Sequence, residues 1–110
     1  MKKISKPWGF EIIWAKTENY VGKLLHINPK QRLSLQLHQE KEETVYVIQG
    51  NLLNYIDSKS QPQIIPKGQS FHVRPNQIHR FGAGPEAVEI IEVSTPHLDD
   101  VVRIEDDYDR

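Results

Sequence analysis

The chain has 110 residues, room for one domain spanning 1–110 and not for two. Fourteen basic and fifteen acidic residues leave a net charge of -1, which argues against a track for nucleic-acid phosphates. Apolar runs never exceed four residues, too short for a membrane-spanning helix, and the absence of cysteine excludes a disulfide scaffold or thiolate metal site.

Met1-Lys2-Lys3 opens like a secretory leader, but Ser5, Lys6 and Pro7 stand where its apolar stretch would have to be, so a cytoplasmic location is expected. Pro and Gly then recur every 8 to 20 residues between short runs rich in Val, Ile, Leu, Tyr and Phe. That spacing predicts many short strands, hence a sandwich or barrel. Strands are expected over Glu11–Ala15, Tyr20–Asn28, Leu33–His38, Thr44–Gln49, Leu52–Ile56, Gln63–Ile65, Gln69–Val73, His79–Gly82 and Val88–Val93. Gly50-Asn51 reads as a two-residue hairpin turn between the fourth and fifth of these. The acidic tail Asp99–Arg110 fits a short helix or a strand equally well.

Period-two alternation decides which side chains meet. In Leu33–His38 the leucines share one face, while Ser34, Gln36 and His38 share the other. Glu43 follows five residues later, and His79 comes after a proline turn. Gln36, His38, Glu43 and His79 can therefore converge inside a barrel. Two imidazoles, a carboxylate and an amide oxygen suit a divalent first-row metal with open positions; the alternative is a polar lining satisfied by water. Lys23 shares a face with Leu25 and Ile27, so it points inward with them and needs an anion or a carboxylate there. His26 falls on the outward face. His72 is either a rim residue with a local hydrogen bond or part of a site. Glu92 is placed to face inward as a candidate base.

The run Pro29 to His38, then Glu43 and Gly50, resembles the first cupin motif, and Gly68 to Arg74 with Asn76 and His79 resembles the second. Lys6-Pro7-Trp8-Gly9, the stretch Leu33-Ser34-Leu35-Gln36-Leu37-His38 and the tail Asp99 to Arg110 are similar to one subfamily. It is the mannose-6-phosphate isomerase cupin domain that occurs fused to mannose-1-phosphate guanylyltransferase. The resemblance implies an all-β, single-domain cupin: a double-stranded β-helix, or jelly-roll barrel. It implies one divalent metal ion (Zn, Mn, Fe, Co or Ni) on Gln36, His38, Glu43 and His79. Several positions depart from the pattern. Lys30 replaces a glycine, Arg74 and Asn76 replace Pro and Gly, Lys41 replaces an arginine, and Asp109 replaces a glycine. No presumed ligand is lost, and Asn76 can still adopt a left-handed backbone. With the nucleotidyltransferase part absent from these residues, guanylyl transfer is not expected.

The family has a lysine at position 23 and an arginine after the last ligand, so Lys23 and Arg80 are candidate phosphate binders; the alternative for each is a rim salt bridge. A divalent ion with one carboxylate ligand leaves excess positive charge, which suits a small-molecule sugar phosphate. Two functions are carried forward. One is a metal-dependent aldose–ketose isomerase using Lys23, Arg80 and Glu92; the other is a non-catalytic cupin that binds a sugar and assists polysaccharide synthesis. A dioxygenase-type cupin ranks third, because Gln36 stands where those more often keep a histidine. A homodimer without nucleic-acid or membrane partners is expected.

Overall fold

The computed structural model describes residues 1–56 and 61–109. Eleven strands run in chain order: β1 Lys2–Lys6, β2 Gly9–Lys16, β3 Val21–Ile27, β4 Leu35–Leu37, β5 Glu43–Gln49, β6 Asn51–Asn54, β7 Gln63–Pro66, β8 Ser70–Val73, β9 Phe81–Ala83, β10 Val88–Ser94 and β11 Val102–Glu105. No α-helix occurs among the described residues. One sheet has the order β1-β2-β3-β10-β5-β8. Facing it are β11-β4 and β7-β6-β9, joined by bridges at Arg32 with Gly82 and Gln36 with His79. Two antiparallel layers closed in this way make a jelly roll, as expected.

The inner face is layered. Along β10, Val88, Ile90, Glu92 and Ser94 are buried in turn; along β5 the series is Val47, Val45, Glu43; along β3 it is Ile27, Leu25, Lys23. Register aligns these series, with Ile90 opposite both Leu25 and Val47, Glu92 opposite Lys23, and Ser94 opposite Glu43. One end of the barrel is therefore an apolar plug, completed by Trp8, Leu33, Leu52, Ile65, Phe81 and Ala83. The other end is polar. Non-directional apolar burial holds the fold, and the same strands deliver charged groups one layer further on.

One local expectation changes, one open alternative is decided and one strand is new. Gly50-Asn51 does not close a hairpin: β5 and β6 lie in different sheets, and the chain crosses between layers at this corner. Gly50 is required there because its φ is +77° and a Cβ would come within 2.4 Å of the Ala87 carbonyl oxygen. The tail is a strand, β11 pairing β4, and its final residue Arg110 lies outside the described residues. β1, an added antiparallel strand beside β2, had no signal because Lys2, Lys3, Ser5 and Lys6 do not alternate with apolar residues; such lysines guard an exposed sheet edge. The left-handed position expected at Asn76 is present (φ 65°), and Lys30 is left-handed too (φ 63°) where the family pattern has glycine.

Candidate metal centre and cavity

The polar end opens into a cavity of about 710 Å³. At its inner end His38, Glu43 and His79 each offer a ligand atom, all within 4.8 Å of one another and all buried. Glu43 begins β5, His79 bridges to Gln36 beside β4, and His38 follows β4 directly. The imidazoles are oriented from behind. His38 Nδ1 lies 2.6 Å from the Asp100 carbonyl oxygen and His79 Nδ1 lies 3.0 Å from that of Gln77. A carbonyl can only accept, so both Nδ1 atoms carry a proton and donate it. In the neutral ring that leaves each Nε2 as a bare lone pair.

Those lone pairs face a carboxylate. His38 Nε2 is 3.2 Å and His79 Nε2 3.4 Å from Glu43 Oε1. Neither Nε2 makes an aligned hydrogen bond, and Glu43 Oε2 is equally without one. Three buried polar atoms that share one space need positive charge among them, a shared proton or a metal ion. The donor set therefore fits a divalent first-row metal. Gln36 lines the same cavity, its Oε1 accepting from Ser34 Oγ at 2.8 Å.

A second charged group lies beside the first. Lys41 Nζ is 3.1 Å from Glu92 Oε2 and 3.8 Å from Glu43 Oε2. Burial would raise the Glu43 carboxyl, but His38, His79, Glu92 and Lys41 outweigh it and hold the group well below the usual carboxylate range. Glu92 goes the other way: burial, then the neighbouring Glu43 charge, push it up to about 8. Burial disfavours a charge on Lys41, yet the two carboxylates outweigh that and raise its pKa. The loop carrying Lys41 is held by Asp100, whose carboxylate accepts the backbone N–H groups of Gln39, Glu40 and Lys41 at 3.1, 2.7 and 2.9 Å. Those bonds, the one from Glu40 foremost, keep the Asp100 carboxyl near 2.

Lys23 is buried and does meet a carboxylate, Glu11 Oε2 at 3.3 Å, with Lys6 near the other oxygen at 3.9 Å. Glu11 went unnoticed because β2 is apolar on both faces around it; the unmet need of an inward Lys23 was the signal for it. Lys41, seen in sequence only as a loop residue, is inside. Arg80 does not line the cavity. It follows His79 by one residue and so falls on the opposite face, where it bonds the Leu33 carbonyl oxygen (2.8 Å) and Asp107 (3.0 Å). The phosphate-binding place expected for it is not where this side chain lies. His26 faces outward, stacked on Phe10 and bonded to Glu89, and His72 pairs with Glu42 at the surface. Trp8 packs in the core, while Trp14 lies half-exposed over Gly22.

A jelly roll with a His/Glu/His set at the polar end of its lumen is a cupin. KdgF from Halomonas sp. has the same fold, with a TM-score of 0.79 over 91% of this chain and 92% of that one at 17% identity. The family described as "Mannose-6-phosphate isomerase C-terminal" matches residues 1–106, and the chain belongs to it. Among relatives, the alginate biosynthesis protein AlgA of Pseudomonas aeruginosa is 30% identical over 98% of this chain and 23% of its own length. The mannose-1-phosphate guanylyltransferase ManC of Salmonella typhimurium is 28% identical over 99% of this chain and 23% of its own. The chain thus spans about a quarter of the length of these curated relatives.

Proposed function

We propose that this cupin domain is a metal-dependent aldose–ketose isomerase for a hexose phosphate of the mannose 6-phosphate kind. The observation that carries the reading is the convergence of three unpartnered buried acceptors, His38 Nε2, His79 Nε2 and Glu43, at the inner end of a lysine-lined cavity. The family match supports this choice of substrate class. His38, Glu43 and His79 would hold the ion, with Gln36 as fourth ligand. The Asp100 and Gln77 carbonyls fix which imidazole nitrogen faces it. When bound, a divalent ion supplies Lewis acidity toward a sugar oxygen at C1 or C2. Glu92 and Lys41 line the same space and are our candidates for moving a proton between those carbons. Lys23, paired with Glu11, sets the charge of the side wall. The six lysines and arginines lining the cavity outnumber its four carboxylates, although the whole chain carries -1, so an anionic ligand is favoured.

The deciding experiment is a coupled assay interconverting mannose 6-phosphate and fructose 6-phosphate across several divalent metals. Turnover in the parent, lost in His38→Ala and His79→Ala, is the expected result. Tight binding of the phosphorylated sugar without turnover would make the domain a sugar-binding module assisting polysaccharide synthesis. Neither binding nor turnover would end the sugar-phosphate reading. A homodimer is the assembly we expect, and a monomer mass by light scattering would refute it. No helix of the described residues is long and apolar enough to cross a membrane.

A further inference from the structure

We propose that Arg103 is the anion anchor of the cavity, holding the phosphate of a ligand whose hydroxyl end lies at His38, Glu43 and His79. The inference rests on the sugar-phosphate reading and gives that site its second pole. Its basis is register. Arg103 on β11 pairs with Gln36 on β4, and Gln36 in turn bridges to His79. Directly opposed residues on neighbouring strands point to the same face. His79, Gln36 and Arg103 therefore form a row across the sheet, and Gln36 and Arg103 both line the cavity. Two strand spacings put the Arg103 backbone roughly 10 Å from that of His79. That span leaves room for a six-carbon sugar with the metal set at one end and a guanidinium at the other.

Charge points the same way. Lys6 and Lys23 share Glu11, and Lys41 is shared by Glu43 and Glu92. Arg103 is exposed and, among the described residues, makes no ion pair, so its donors are left for a ligand. Lys2 and Lys16 line the opposite wall from β1 and β2 and add field rather than a fork. The strand that carries Arg103 is fastened at both ends. Upstream, Asp100 grips the loop 39–41 and His38. Downstream, Asp107 takes two bonds from Arg32 and one from Arg80, and Tyr108 donates to Gln31 at 2.6 Å. A guanidinium held in register offers bidentate geometry to a phosphate. Arg80 thus fastens the strand, and Arg103 meets the ligand.

The test is titration calorimetry of the metal-loaded protein with mannose 6-phosphate, mannose and inorganic phosphate. In Arg103→Ala we expect affinity for mannose 6-phosphate to fall about ten- to a hundredfold, the loss of a charge-assisted contact, with mannose affinity and metal stoichiometry unchanged. Arg103→Lys should fall between the two, and His72→Ala, at an exposed position paired with Glu42, should keep the preference for the phosphorylated sugar. An Arg103→Ala protein that retains that preference in full overturns the proposal while leaving the sugar-phosphate reading intact. If the parent binds mannose 6-phosphate no better than mannose, but binds inorganic phosphate through Arg103, the sugar reading falls and the anchor stands. If the parent binds neither anion, both fall.

Discussion

Adding a divalent metal should raise the melting temperature of this domain, and replacing His79 by Ala should abolish the rise. Without a cation, His38 Nε2, His79 Nε2 and Glu43 Oε2 are buried without partners, and each such group costs about 1–3 kcal/mol. The folded protein therefore carries a local penalty that a metal removes. Binding to the native state alone adds RT ln(1 + [L]/Kd), about 2.7 kcal/mol at a hundredfold excess over Kd. For a domain of this size 1 kcal/mol moves the midpoint by roughly 4 °C, so the expected rise is on the order of 10 °C. His79→Ala removes one of three ligating side chains and also the bond to the Gln77 carbonyl. Its metal-free form should melt lower than the parent, and added metal should move it little. His72→Ala, at an exposed position paired with Glu42, should respond like the parent. The assay is differential scanning fluorimetry after chelation, repeated with each metal. A parent indifferent to saturating metal, or a His79→Ala protein that rises as far as the parent, would refute the convergence argument.

Glu92→Gln should lower turnover by a factor on the order of 100 or more with metal stoichiometry unchanged; equal turnover would remove Glu92 from proton transfer. Two of the positive-φ residues, Lys30 and Gly50, should respond with opposite signs to substitution, as read by denaturant melts. Lys30→Gly should stabilise by up to about 1 kcal/mol, because the conformational cost at φ 63° outweighs the added freedom of the unfolded chain. Gly50→Ala should destabilise by about 2 kcal/mol or more, because strain and the contact with the Ala87 carbonyl act together. Asp107, bonded to Arg32 and Arg80, has its carboxyl held below the ordinary value of about 3.9. A depressed folded pKa means its stabilisation is full above that value and disappears as pH falls through the lower one. Protection factors of the amides across 102–105, taken relative to the intrinsic exchange rate at each pH, should therefore fall in acid, and Asp107→Asn should show low protection at neutral pH. Unchanged exchange in that variant would mean Asp107 does not fasten the tail.

By itself the sequence determined the all-β class and nine of the strands, and it offered Lys23, His38, Glu43, Glu92 and His79 as candidates for an inward set. The reason is geometric: period-two alternation is a local property, and Leu33–His38 displays it without ambiguity. It could not tell which strands pair. That depends on contacts between residues far apart in the chain, so a glycine turn that reads as a hairpin is instead a crossing between sheets. It also left Arg80 open between a phosphate contact and a salt bridge; the structure pairs it with Asp107, because adjacency to His79 puts it on the opposite face. Arg103 reaches the cavity only because β11 lies in register on β4, its partner Gln36 standing 67 residues earlier in the chain. The same holds for Glu11 beneath Lys23 and for Asp100 behind His38. Residue types and faces follow from local spacing; the partners that set charge, tautomer and register follow from long-range strand pairing, which only the tertiary structure decides.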